Sequence, residues 1–315
     1  MLSPDYRWQP PRLPIATGAV LLGTLYPLFL DALGMGKISV GPPYFDTVFG
    51  LLMAPLVLVM GIGPLTRWKN DEAGPLARRL ALPLMASVVA ALVVGFAAGR
   101  VSVVTTGGLT MAFWIVITLL VDLKPRLLPA GGSVGQVLHR ARMVPVAMWG
   151  MMLAHFGVAA FSFGVAMVKT YETEKDVKMG PGDSTEVAGY VFRMNGFQEV
   201  QGPNYVAMQG QMEVTRDGRT IAVLRPQKRI YRVQQNPMTE AGVHSNAWRD
   251  LYVSMGEQLP GGEWVLRVQY KPFISWIWGG CLLMMAGGVL AMADRRYRQR
   301  SSAGARAAVG AEAAA

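Results

Sequence analysis

The most constraining feature of the sequence is an apolar run from Val144 to Val168, which is long enough to cross a lipid bilayer. One ionisable residue, His155, lies near its middle. An imidazole at that depth needs a partner, and the usual ones are a metal, a hydrogen bond to a neighbouring helix, or a proton path. The helical face of His155 is shared by methionines and small residues: Met148, Met151, Met152, Ala159, Ser162 and Ala166. The small residues leave room either for a flat macrocycle or for another helix.

Composition extends this interpretation to the whole chain. Of the 315 residues, 52% are hydrophobic and only 16% are charged, which is typical of an integral membrane protein. We predict an α-helical membrane protein with about six transmembrane helices and an external β-rich domain inserted before the last helix. The predicted spans are Leu13–Leu30, Thr47–Leu65, Leu80–Gly99, Val101–Leu123, Val144–Val168 and Phe273–Ala293.

Positive charges in the loops predict the orientation. Clusters of Lys and Arg fall on one side, which we assign to the cytoplasm: Arg7, Arg12, Arg67, Lys69, Arg78, Arg79, Lys124, Arg126, Arg140, Arg142, Arg295, Arg296, Arg298 and Arg300. The short loops on the opposite side have only Lys37 and Arg100. We therefore expect a multi-pass protein of the bacterial inner membrane with its large loop in the periplasm. The net charge of +10 is explained by this flanking pattern, so we predict no nucleic-acid partner and expect membrane lipid around the spans.

The predicted domain boundaries follow from these patterns. Residues 1–12 form a cytoplasmic segment without a removable signal peptide, 13–168 a bundle of five transmembrane helices, and 169–271 the periplasmic domain. Residues 272–293 form the sixth span and 294–315 a basic cytoplasmic tail. In the periplasmic part, apolar and polar residues alternate from Tyr205 to Val214, and again from Trp264 to Tyr270, as in half-buried strands. Asp217-Gly218 supplies a hairpin turn, so a small sandwich or barrel is expected.

Other polar residues give weaker indications. His139 is expected to be solvated in a cytoplasmic loop, and His244 to be a surface histidine without a second ligand at metal spacing. Asp31 and Asp122 lie at span ends, where we expect them to face water. Cys281 is the single cysteine, which excludes an intrachain disulfide and a CxxC redox pair. The chain also lacks a nucleophile elbow, a Walker A loop and a dinucleotide fingerprint.

Several stretches together resemble the CcmF/NrfE family of cytochrome c biogenesis proteins, which are membrane haem lyases. They are LLGTLYPLFLDALGMGKISVGPPYFDTVF from Leu21, GIGPLTRW from Gly61, LAHFGVA around His155, DVKMGPGDS from Asp176, MTEAGV from Met238, RDLYVSMGE from Arg249 and YKPFISWIWGG from Tyr270. The resemblance runs from about residue 20 to about residue 298. It implies a role in attaching haem covalently to the CxxCH thiols of exported apocytochromes c. It also implies two partners, a periplasmic haem chaperone (CcmE-like) and a CcmH-like thiol protein.

The resemblance implies a role for one residue. Family members hold a haem b between two transmembrane histidines, and the second of these lies in the motif that reads LAHFG here. His155 is thus the implied axial ligand of the haem b iron, and no catalytic residue is implied. A neutral imidazole is a standard haem ligand, and an apolar bundle tunes the iron's potential by excluding water. The implied task of this haem is to keep the chaperone's haem ferrous.

The resemblance is to the C-terminal half of a family member. The tryptophan-rich WWD segment, the first transmembrane histidine and two external histidines of the family have no counterpart in the sequence. The chain is therefore expected to be a truncated product or one subunit of a split lyase, with the missing N-terminal half as its partner. Two rival functions stay open: an assembly scaffold without a redox role, and half of a haem permease.

Overall fold

The computed structural model describes residues 12–35, 42–66, 73–128, 133–233 and 235–294. In these residues the apolar runs form six long helices, because a backbone in lipid has to satisfy its hydrogen bonds internally. Their bounds are α1 Arg12–Ala32, α2 Pro42–Ile62, α3 Ala73–Ala97, α4 Val103–Leu127, α6 Val146–Tyr171 and α7 Ile274–Met292. A shorter helix, α5, covers Val134–Met143. The predicted N-terminal segment and basic tail lie almost wholly outside the described residues.

Four helices of the described part are long and apolar enough to cross a membrane: Gly74–Ala97, Val103–Leu127, Val146–Tyr171 and Ile274–Met292. In the described residues, the predicted spans Leu13–Leu30 and Thr47–Leu65 correspond to shorter apolar helical stretches, Leu21–Ala32 and Gly50–Leu65. The predicted class, a helical membrane protein with a β-rich domain ahead of its last helix, is confirmed.

Ten strands between α6 and α7 form two antiparallel sheets. Their bounds are β1 Thr173–Met179, β2 Ser184–Val187, β3 Tyr190–Gln201, β4 Tyr205–Arg216, β5 Arg219–Leu224, β6 Gln227–Tyr231, β7 Pro237–Glu240, β8 Gly242–Ser245, β9 Arg249–Gln258 and β10 Trp264–Pro272. One sheet has the order β1-β10-β9-β8, and the other β2-β3-β4-β6-β7 with β5 beside β4. Of the two architectures predicted, the sandwich is the one observed.

The core of the sandwich consists of the inward side chains of both sheets. Phe192 and Met212 from one sheet and Leu251 and Leu266 from the other are fully buried. The alternation predicted for β4 is borne out at its second half, where Met212 and Val214 are buried and Gln211 is exposed. This alternation fixes which face of each strand meets the opposite sheet, and so fixes the register.

The turn predicted at Asp217-Gly218 connects β4 to β5. Both residues have positive φ angles, 51° for Asp217 and 74° for Gly218. This is the backbone of a type I′ hairpin turn, which matches the twist of antiparallel strands and favours Asp and Gly.

The chain divides into two compact units. The first holds the described residues of 1–89 and 113–144, and the second those of 90–112 and 145–315.

The prediction that Asp122 faces water is wrong. In the first unit this residue is only 8% exposed, and its Oδ1 accepts a 2.9 Å hydrogen bond from Nη2 of Arg126, one turn further along α4. The i,i+4 pairing neutralises the charge, so that the carboxylate does not need water.

Candidate functional site

His155 is the candidate for function inside the membrane, and its helix α6 belongs to the second unit. The helix begins directly after Pro145, and the backbone N–H of Ala147 donates a 3.0 Å hydrogen bond to Oδ2 of Asp294, beyond the end of α7. His155 lies about 14 Å along the helix axis from Val146, at 1.5 Å per residue. Its side chain is half-buried. The imidazole is therefore held well away from both helix ends.

The ring of His155 is fixed by a backbone group. Its Nδ1 lies 2.9 Å from the carbonyl oxygen of Met151, one turn earlier in α6. A carbonyl oxygen can only accept, so Nδ1 carries the proton and donates. In the neutral ring Nε2 then has a lone pair, and no described residue hydrogen-bonds to it. A carbonyl on the other ring nitrogen is the arrangement that orients a metal-ligating histidine.

The small residues on this side of α6 serve helix packing at one end. Ala166 is buried, and its Cβ lies 3.0 Å from the position that a Cβ on Gly108 of α4 would occupy. Close by, the hydroxyl oxygens of Thr105 and Thr170 are 2.6 Å apart. Of the two uses predicted for the small residues, the approach of another helix is therefore realised at Ala166. Ala159, one turn after His155, is also buried.

Glycines on α6 form the contact with α7. Gly150, Gly157 and Gly164 recur every seven residues, so they form one stripe along the helix. A Cβ on Gly157 would lie 2.7 Å from the carbonyl oxygen of Gly280, and one on Gly150 would lie 2.6 Å from that of Gly287. His155 is two residues, or about 200°, from Gly157 around the helix. The imidazole and α7 thus lie on opposite sides of α6, and α7 does not supply a group facing His155.

His244 has the opposite hydrogen-bond pattern. It lies half-buried on β8, and its Nδ1 is 2.9 Å from Nη1 of Arg249. A guanidinium only donates, so Nδ1 accepts and the neutral ring carries its proton on Nε2. Neither ring nitrogen of His244 then offers a lone pair to a metal.

The three histidines lie on three different elements of the structure. His139 is exposed on α5, in the first unit, whereas His155 and His244 belong to the second. Among the described residues, no group of three or more His, Cys, Asp or Glu side chains could hold a metal ion. One axial position of a haem needs only a single imidazole.

A second polar cluster, which the sequence did not predict, joins the two sheets of the sandwich. The phenol oxygen of Tyr190 accepts hydrogen bonds from Nη1 of Arg216 at 2.8 Å and from Nε of Arg249 at 3.0 Å. Tyr190 and Arg249 are buried. Burial raises the pKa of Tyr190, but the hydrogen bonds from Arg249 and Arg216 outweigh it, and the pKa lies below its ordinary value.

The glycine stripe on α6 and the polar cluster around Tyr190 were not predicted, and they differ in how visible they are in the sequence. The seven-residue spacing of Gly150, Gly157 and Gly164 is visible and indicates a close helix contact. The cluster around Tyr190 leaves no such pattern, because its members come from β3, β4 and β9 and meet only when the two sheets pack.

Comparison with known proteins gives consistent matches. The family described as "CcmF C-terminal beta-sandwich" matches residues 170–272. The chain is 42% identical to the cytochrome c-type biogenesis protein CcmF of Pseudomonas aeruginosa over 295 residues, which are 94% of this chain and 44% of the relative. It is 38% identical to CcmF of Escherichia coli K12, covering 90% of this chain and 42% of that protein. The cytochrome c-type biogenesis protein NrfE of Haemophilus influenzae is 30% identical, with coverages of 91% and 43%.

A solved structure also matches. The chain superimposes on "Cytochrome c Heme Lyase CcmF" with a TM-score of 0.68 at 20% sequence identity, over 90% of this chain and 44% of that one. At this identity the match shows a shared fold. The chain thus spans less than half the length of the relatives that it matches.

Proposed function

Because the chain belongs to the CcmF/NrfE family of cytochrome c-type biogenesis proteins, we propose that it forms the C-terminal part of a membrane haem lyase. In this role it binds haem b and helps to transfer haem to apocytochrome c, whose CxxCH thiols receive it covalently. The lyase activity itself belongs to the complete complex. The substrate is thus a haem together with an exported polypeptide that carries two thiols.

The observation that carries this proposal is the hydrogen bond between Nδ1 of His155 and the carbonyl oxygen of Met151. It leaves the Nε2 lone pair for an iron, in a helix apolar enough to cross a membrane. The competing use of an intramembrane histidine, a hydrogen bond to a neighbouring helix, is not seen among the described residues. His155 is therefore proposed as one axial ligand of haem b.

The chain's own residues contribute binding and orientation. The Met151 carbonyl holds the imidazole plane, and the glycine contact packs α7 against the other side of α6. When held through Nε2 of His155, haem b would supply one-electron redox chemistry. An apolar surrounding that excludes water tunes the redox potential of such a group.

The proposal requires partners. We propose that the second axial ligand comes from the N-terminal part of the lyase or an equivalent subunit, because the family arrangement uses two transmembrane histidines and His155 is the one histidine in an apolar run of this sequence. A CcmE-like haem chaperone delivers the substrate haem, and a CcmH-like thiol protein presents the apocytochrome. We propose the sandwich between α6 and α7 as a docking surface for them.

Haem content tests the proposal directly. The chain is purified together with its natural partners, and haem b is measured per complex by the pyridine haemochrome spectrum. His155→Ala is expected to abolish the haem b signal, whereas the matched variant His139→Ala, an exposed histidine on α5, keeps it. A correctly assembled complex that contains no haem b would favour the scaffold without a redox role.

We also propose that the protein is a multi-pass protein of the bacterial inner membrane with the sandwich in the periplasm. The distribution of Lys and Arg in the loops supports this orientation. In intact spheroplasts of a Cys281→Ala strain, Val233→Cys on the sandwich is expected to react with a membrane-impermeant maleimide. Ser133→Cys, at the start of α5, is expected to react only after lysis. Both positions are exposed, so the reverse pattern would contradict the orientation.

A further inference from the structure

The turn between β8 and β9 is hydrogen-bonded to the first turn of α7. The hydroxyl of Ser275 donates to the carbonyl oxygen of Asn246 at 2.8 Å, and Nε1 of Trp276 donates to that of Ala247 at 2.9 Å. The backbone N–H of Phe273 donates to the carbonyl oxygen of Trp248, also at 2.9 Å. Since α7 is apolar enough to cross a membrane and begins at Ile274, this turn is fixed at the level where the span leaves the lipid.

Aromatic rings surround the hydrogen bonds between the β8–β9 turn and α7. The Phe273 ring packs edge-on against Phe163 of α6 at 5.3 Å and against Trp248 at 5.9 Å between ring centroids. Trp276 lies 5.0 Å from Phe163. Within this group Trp248 projects outward, because 62% of it is exposed. On α7 itself, Trp278 is 70% exposed. Indole rings at this depth are the usual anchors of the membrane interface, with an apolar body in lipid and a polar N–H near the headgroups.

The same end of the sandwich carries positive charge. Arg216 and Arg249 both bond to the Tyr190 phenol, which brings the β4–β5 turn next to the start of β9, one residue after Trp248. Arg216 and Arg219 flank that turn and are exposed. The acidic residues at this end include Asp217, which lies 3.8 Å from Arg216, and the half-buried Asp250. Exposed Glu172 also lies there, directly before β1, whose first residue pairs with Tyr270. Lys271 also lies at this end, opposite Asp250 in the sheet. The exposed Arg216 and Arg219 offer the positive charge that suits a layer of phosphate groups.

We infer that this end of the sandwich binds the phospholipid headgroup layer, with Trp248 inserted into it and Arg216 and Arg219 near the phosphates. The lipid is the bilayer that α7 crosses, so the surface continues the contact made by the span. This fixes the height and tilt of the sandwich above the membrane. The inference does not depend on haem binding.

Depth-dependent quenching tests the inference on the purified full chain in lipid nanodiscs of phosphatidylcholine and phosphatidylglycerol. In a Cys281→Ala background, Trp248→Cys carries a bimane label, and a nitroxide on the lipid headgroup is the quencher. Val233→Cys is the matched control, because Val233 is 92% exposed and follows β6, whose end at Tyr231 pairs with Tyr205. Eleven residue steps separate Tyr205 from Arg216 along β4. At about 3.3 Å per residue, Val233 therefore lies roughly 36 Å from the end of the sandwich that carries Arg216.

We expect the label at position 248 to be quenched at least about twofold more than the label at 233, since the headgroup layer is thin compared with that distance. Equal quenching at both positions would overturn the inference. So would a label at 248 that neither headgroup nitroxide nor aqueous iodide reaches, because that result means protein cover, such as a second copy. If Trp248→Cys does not fold, Ala247→Cys provides the same measurement from the same exposed turn.

Discussion

Nδ1 of His155 lies 2.9 Å from the carbonyl oxygen of Met151, whereas Nδ1 of His244 lies 2.9 Å from a guanidinium nitrogen of Arg249. The first partner can only accept a hydrogen bond and the second can only donate one. In their neutral forms the two histidines are therefore held as opposite tautomers. Only His155 presents Nε2 as a ligand atom.

This contrast predicts distinct nitrogen signals. In the chain purified without haem, ¹⁵N NMR of labelled histidine at neutral pH is expected to show His155 protonated at Nδ1 and His244 protonated at Nε2. His155→Gln and His244→Gln assign the two signals. A His155 ring protonated at Nε2 would remove the lone pair on which the haem proposal depends.

Two adjacent glycines of α7 give a matched test of the helix contact. A Cβ on Gly287 would lie 2.5 Å from the backbone nitrogen of Ala154, whereas a Cβ on Gly288 would meet nothing within 4 Å. Backbone atoms cannot move aside cheaply, so Gly287→Ala is expected to destabilise the protein by about 1–3 kcal/mol. Gly288→Ala is expected to leave stability unchanged or raise it by up to about 1 kcal/mol, through helix propensity. Thermal unfolding in detergent measures both, and equal effects would contradict the packing described.

Asp250 makes the stability of the folded sandwich depend on pH. Burial raises the pKa of this carboxyl above its ordinary value of 3.8, and its buried Oδ1 has no hydrogen-bond partner among the described residues. The folded state thus binds a proton more readily than the unfolded state, so the charged form costs stability once the pH exceeds the folded pKa.

Asp250→Asn is accordingly expected to raise the melting temperature at pH 7. The gain is expected to shrink as the pH falls toward 3.8 and to vanish below it, because the carboxyl is then neutral in both states. Asp217→Asn, at an exposed turn, serves as the control and is expected to change little. A gain for Asp250→Asn that persists at pH 3 would mean that its charge is not the cause.

Much of the fold could be predicted because each element has its own local pattern. The apolar runs around α3, α4, α6 and α7 exceed the length of a membrane crossing. The turn at Asp217-Gly218 depends on two adjacent residues that tolerate positive φ. His155 was recognisable as a candidate because it is the one ionisable side chain in its run, whatever the rest of the chain does.

What could not be predicted depends on contacts between distant segments. Tyr190 and Arg249 are 59 residues apart and meet only because two sheets pack face to face. Helix α5 lies in a basic loop, and its ten residues are too few to stand out by length. The position of Asp122 at a span end predicts that it faces water, but Arg126 on the same helix pairs with it and the carboxylate is buried. The carbonyl contact of His155 is a side-chain conformation, which sequence spacing does not determine.

Chemical rescue tests the central claim most directly. In the complex purified with its partners, His155→Gly removes the proposed ligand and leaves a space for free imidazole. We predict loss of the low-spin haem b spectrum in this variant and its restoration by added imidazole, with no such response in His139→Gly. A His155→Gly complex that keeps its full haem b spectrum without imidazole would contradict axial ligation by His155.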